Sequence, residues 1–161
     1  MGEVNEEARR PAGKLVTVVA TFFGLGYAPF ASGTVGTVGA IPLFLVLALL
    51  TWPLYAVVWV LLLLLSFYVS EKVRVSIGQN DPKIVVIDEV LGYLAAMFML
   101  PVSAGYIIAA FFLFRFFDIT KPFPASYFDK KVKNGVGVVM DDVVAGIFTC
   151  IILHFYRYMW G

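Results

Sequence analysis

Two pairs of adjacent acids, Asp88-Glu89 and Asp141-Asp142, each stand directly before an apolar run. Ionised groups beside hydrocarbon are costly and usually functional. A lone carboxylate at the start of a helix often serves only as a cap or a partner for the helix dipole. Adjacent acids at two such places instead offer the hard oxygens that suit Mg²⁺ or a similar ion. Asp88, Glu89, Asp141 and Asp142 are therefore the expected metal ligands. Gly92 and Gly146 follow Asp88 and Asp142 at i, i+4, on the same helix faces. Glycine there lets two helices approach closely enough to bring the acid pairs together.

Basic groups come next. Arg115, Asp118 and Lys121 are spaced one helical turn apart. Arg115 and Lys121 suit a phosphate clamp beside a catalytic or metal-binding acid, Asp118; the plainer alternative is a structural salt bridge. Asp129 is a further catalytic candidate, in an amphipathic run over residues 123–132 with Lys130, Lys131 and Lys133 close by. Set against that is a solvated interfacial helix whose lysines meet anionic lipid. In Ser32-Gly33-Thr34-Val35-Gly36-Thr37, backbone N–H groups and the hydroxyls of Ser32, Thr34 and Thr37 can face a phosphate at a helix N-terminus. No Lys follows these glycines, so this is not a Walker loop.

Other phosphatase chemistries are excluded. Cys150 is the only cysteine, lies mid-run in apolar sequence, and is spaced C-x6-R from Arg157, one residue longer than a cysteine-phosphatase loop. A thiol in such surroundings is inert. His154 is the only histidine, which rules out a paired-histidine phosphatase and a His-rich zinc site. It also falls at the opposite end of its run from the acids, so a Ser-His-Asp triad is improbable.

The elements that must position these groups are those of a membrane protein. Hydrophobic residues make up 61% of the 161 residues and charged residues 14%, against about 25% charged in soluble domains. The net charge of +1 excludes a nucleic-acid binder, which needs a basic surplus. The pattern predicts an all-α, polytopic helical bundle. A polar, mobile N-terminus covers residues 1–13, and one membrane-embedded domain covers 14–161. Residues 14–23 are too short to span and read as an interfacial or re-entrant helix. Apolar helices over 35–50, 54–69, 90–100, 106–117 and 143–155 give about five at membrane depth. Asn80-Asp81-Pro82 marks a turn, with Asp81 expected to stand apart from any site.

If the N-terminal side is inside, 11 of the 12 Lys and Arg fall there, Arg157 being the exception. The positive-inside rule makes that side cytoplasmic. All 11 acids fall there as well, which the rule does not explain. Trp52, Tyr55, Tyr158 and Trp160 mark the outer interface.

In these segments the chain resembles the bacterial phosphatidylglycerophosphatase A family. The resemblance rests on Gly24-Leu25-Gly26 with Gly33-Thr34-Val35-Gly36, on Ile87-Asp88-Glu89 with Gly92, and on the R-x-x-D-x-x-K-P-x-P run from Arg115 to Pro124 with Phe128-Asp129. It rests also on the run Gly135-Val136-Gly137-Val138-Val139-Met140-Asp141-Asp142, with Ala145-Gly146. Ala28-Pro29 and Ser32-Gly33-Thr34 stand where the family has S-P and P-G-T. The resemblance implies a Mg²⁺-dependent enzyme of the bacterial cytoplasmic membrane. It would convert phosphatidylglycerophosphate to phosphatidylglycerol and phosphate, with Asp118 as metal ligand, base or nucleophile. Two rivals are a CDP-alcohol phosphatidyltransferase-like enzyme, whose D-x2-D-G signature is absent, and an ion transporter, which would place acids at mid-membrane rather than on one side.

Overall fold

The computed structural model describes residues 11–160. Most of the expected mobile N-terminus lies outside the described residues. Its last part is tied down, because the Ala12 amide donates to Ser76 Oγ at 2.9 Å. The regular elements among the described residues are all helices: α1 Lys14–Ala20, α2 Ser32–Leu47, α3 Trp52–Ile77, α4 Ile87–Ala96, α5 Ala104–Thr120, α6 Ala125–Lys131 and α7 Gly135–Trp160. A short 3-10 turn at Leu25–Tyr27 links α1 to α2. Two helices, α3 and α7, are long and apolar enough to cross a membrane. The apolar α2 is shorter.

At the centre is α4. Eight of its ten residues are buried, including Leu91, Tyr93 and Leu94, as expected of a helix enclosed on all sides. It packs against α2, α3, α5 and α7. Its contact with α7 is the tightest. A Cβ on Gly92 would lie 2.6 Å from the Asp142 carbonyl oxygen, and one on Gly146 would collide with the Gly92 carbonyl. Only glycine fits at such a backbone approach. Each glycine lies one turn beyond an acid pair, so the crossing sets both pairs at the same height.

Two helix boundaries differ from the sequence expectation in a way that matters. The sequence places Asp141-Asp142 at a helix start, but α7 begins at Gly135 and has no acid in its first turn. Asn134 Oδ1 caps this helix, accepting from Val136 N and Gly137 N at 3.1 Å each. The pair therefore lies well inside the helix, where a capping role is unavailable. Asp88-Glu89, by contrast, does occupy the first turn of α4. The other difference is that α3 is one continuous helix through the polar stretch after Val69. Its Glu71 Oε2 accepts from the Gly135 amide at 2.5 Å while bonding Arg74 through both oxygens. A Cβ on Gly135 would lie 2.6 Å from the backbone of Phe67 and Glu71. The start of α7 is thus clamped onto α3.

Candidate active site

Four elements converge on a polar pocket of about 130 Å³, lined by Ser32, Asp81, Lys83, Asp88, Glu89, Asp118, Lys121, Asp141 and Asp142 with Val85 and Val138. The start of α2 supplies Ser32, the start of α4 Asp88 and Glu89, the end of α5 Asp118 and Lys121, and α7 the remaining pair. Asp88, Asp141 and Asp142 are buried. One oxygen from each of Asp88, Glu89 and Asp142 can be chosen so that all lie within 4.8 Å of one another. At an effective dielectric of about 20, two unit charges about 4 Å apart repel by roughly 4 kcal/mol. Three such carboxylates need a cation to be ionised together. Glu89 Oε2 is buried without a hydrogen-bond partner, which leaves a free oxygen in the cluster. The donor set, three carboxylates and no nitrogen or sulfur, fits a hard divalent ion.

The fourth expected metal ligand, Asp141, lines the same pocket but is engaged differently. Its Oδ2 accepts from Lys121 Nζ at 2.5 Å, and the same ammonium donates to Asp129 Oδ1 at 2.7 Å. Burial pulls the Lys121 ammonium down, but Asp141 and Asp129 outweigh it and hold the pKa above its ordinary value. The hydrogen bond from Lys121 in turn holds Asp129 below the usual carboxylate range. Asp129 does not itself line the pocket; it orients Lys121 from outside. Lys121 has a left-handed backbone, φ 43°, a costly conformation for a non-glycine residue that tends to cluster at functional sites.

Arg115 Nη1 lies 2.5 Å from Asp118 Oδ2, so the expected i, i+3 pair forms. The contact is too bent to count as a hydrogen bond, and Arg115 Nε and Nη1 are both buried without a hydrogen-bond partner. The guanidinium also abuts the α2 start: a Cβ on Gly33 would lie 3.0 Å from Arg115 Nη1 and would run into Glu89 Oε1. No side chain caps α2, and its first backbone bond is Val35 N to Ala31 O at 3.1 Å. The amides ahead of Val35 thus have no helical acceptor, the ordinary state of a helix start.

The three expected hydroxyls part company. Ser32 lines the pocket, although its Oγ donates to the Lys83 carbonyl at 2.8 Å. Thr37 is buried and donates back to the Gly33 carbonyl at 2.8 Å, a common use of threonine inside a helix. Thr34 is half-buried and outside the lining. Two lining residues were missed by sequence reasoning. Asp81, expected to stand apart, lines the pocket together with Lys83. The Asn80-Asp81-Pro82 turn gave no such sign; the folding-back of the 78–86 loop, where Val86 N bonds the Ala20 carbonyl at 3.0 Å, puts them there. Glu71 was missed too, because its task is a long-range bond to the start of α7.

Residues 18–157 match the family described as phosphatidylglycerophosphatase A. A phosphatidylglycerophosphatase A of Escherichia coli K12 is 33% identical over 144 residues, covering 89% of this chain and 84% of that one. One of Haemophilus influenzae is 38% identical over 145 residues, covering 89% of each. A Bacteroides thetaiotaomicron protein, provisionally named a phosphatidylinositol-3-phosphatase, is 36% identical over 156 residues, covering 91% of this chain and 96% of its own. No solved structure matches the chain. The family match takes in every residue that lines the acidic pocket, and by that match and these identities the chain belongs to the phosphatidylglycerophosphatase A family.

Proposed function

We propose that this protein hydrolyses the phosphomonoester of phosphatidylglycerophosphate, releasing phosphatidylglycerol and inorganic phosphate, in the bacterial cytoplasmic membrane. The observation that carries the reading is the pocket itself. It sets a three-carboxylate cluster beside Lys121 and the uncapped start of α2, with the Arg115 guanidinium outside the lining, against Asp118 and close to Glu89. Asp88, Glu89 and Asp142 would hold Mg²⁺, with Asp141 at the edge of the set. Bound there, the ion supplies Lewis-acid polarisation of the phosphoryl group and lowers the pKa of a water.

The chain's own groups do the rest. Lys121 and Arg115 neutralise phosphoryl oxygens as charge builds in the transition state. Arg115 Nε is buried without a hydrogen-bond partner, while Nη1 stands against Asp118. The α2 start offers amides to the same anion, as helix N-termini do. Asp118, paired with Arg115 and outside the three-carboxylate cluster, would take a proton from the attacking water. Water adds to phosphorus, the P–O bond to the glycerol oxygen breaks, and that oxygen leaves with a proton as the free alcohol.

In this reading α2, α3, α4, α5 and α7 lie at membrane depth as a multi-pass bundle. The acidic pocket faces the cytoplasm, in line with the basic residues gathered at that end. Cysteine labelling in intact cells and inverted vesicles checks the orientation. Position 131 should react from the cytoplasmic side and position 103 from the outside; the reverse would overturn it.

The deciding experiment is phosphate release by purified protein in detergent. Phosphatidylglycerophosphate should be turned over with Mg²⁺ and not in excess EDTA. Full activity in EDTA would sink the metal mechanism. Strong preference for phosphatidylinositol 3-phosphate would replace the substrate.

A further inference from the structure

Phe30 and Phe123 are large apolar side chains left almost bare, 84% and 79% exposed. Neither lies on a spanning helix. Phe30 sits in the turn before α2, and Phe123 in the turn between α5 and α6. Each is two residues from a side chain that lines the acidic pocket, Ser32 in one case and Lys121 in the other. Each is also beside a non-glycine residue in the left-handed region: Ala31 at φ 48° directly follows Phe30, and Lys121 at φ 43° precedes Phe123 by two. Such backbone costs on the order of 1–3 kcal/mol and persists only where its surroundings enforce it. The two elements are neighbours, since α2 packs on α5. Ile119, next to Asp118 in the chain, is 72% exposed as well.

At the polar end of a bundle a bare aromatic needs an apolar partner or stays wet at a cost. We infer that Phe30 and Phe123 form the lipid-facing rim of the pocket and carry the acyl chains of the phosphatidyl substrate while its phosphate lies among Lys121, Arg115 and the carboxylates. This rests on the proposed lipid-phosphatase function and adds the residues that make the site prefer a two-chain lipid to its head group alone. Continuity selects the occupant. The rim residues border the pocket along the chain, so a molecule with a phosphate inside and hydrocarbon outside meets both at once. Binding energy from the remote chains then holds the ester in place for reaction.

The test compares two substrates in detergent micelles, long-chain phosphatidylglycerophosphate and glycerol phosphate without acyl chains. In F30S/F123S, kcat/KM for the long-chain lipid should fall about tenfold. That for glycerol phosphate should stay at the wild-type level. F30L/F123L, which keeps an apolar side chain, should restore the preference. Equal losses on both substrates, or no loss on the lipid, overturn the inference. The single variants, read the same way, decide the matter if the double variant folds poorly. A wild-type protein inactive on both substrates would instead strike at the function itself, a result separate from any behaviour of the variants.

Discussion

The two ends of this bundle both place polar side chains among apolar ones, and they treat them in opposite ways. At the end away from the acids, each such group has a backbone carbonyl to itself or shares one. Tyr55 donates to Leu94 O at 2.8 Å and Trp59 Nε1 to Leu91 O at 3.1 Å. Cys150 and His154 both approach Phe98 O, at 3.7 and 2.9 Å. Nearly every group there is neutral and satisfied, and its role ends with packing. At the other end the groups are charged and crowded, and Glu89 Oε2 and two Arg115 nitrogens have no hydrogen-bond partner. Burying unsatisfied charge is among the costliest things a fold can do. The contrast is what the proposed function rests on: one end is satisfied within the chain, and the other leaves buried polar atoms without a hydrogen bond.

The sharpest way to break this contrast is at Asp142. Asp142→Asn keeps the shape and removes a charge from the cluster, and activity should fall by at least roughly 100-fold. Part of it should return at high Mg²⁺ if affinity for the ion is what was lost. Wild-type activity in a well-folded Asp142→Asn protein would make the cluster no more than packing. Lys121→Ala should cost less, about tenfold or somewhat more, without rescue by added metal. It also frees Asp129 and Asp141 from their shared partner, so rescue by Mg²⁺ would recast Lys121 as a stand-in for the cation. The satisfied end should show the mirror image. Tyr55→Phe should lower stability by about 1 kcal/mol in a denaturation assay and leave turnover untouched. Cys150→Ala should be near neutral in both, because its thiol lies in an apolar helix face where thiolates are disfavoured. A large loss of turnover in either would mean the quiet end takes part in the reaction.

Much of the acidic end was legible in the sequence, since hard acids beside apolar runs stand out wherever they fall. Asp88, Glu89, Asp118, Lys121, Asp141 and Asp142 all reach one pocket. The i, i+4 glycines also announced the α4–α7 crossing. What stayed hidden depended on distant chain. Asp81 and Lys83 reach the pocket only because their loop folds back, and Glu71 acts on a residue 64 positions away. Thr37 was misread because a hydroxyl in a helix has a carbonyl one turn back always at hand, and here it takes it. The start of α7 was placed too late because glycines lower helix propensity, while the Asn134 cap and the clamp on α3 override that weakness.

The glycine crossing is also where α7 is held closest to α4, so a tilt of α7 would turn about it. Helices in a bilayer tilt when its thickness changes. On α7 the pivot at Gly146 is four residues from Asp142, about 6 Å along the axis, but fourteen from Trp160, about 21 Å. A tilt about that point swings the far tip some three times as far as the carboxylates. The acids stand close to the crossing, so a tilt of α7 about it would displace them less than the far tip.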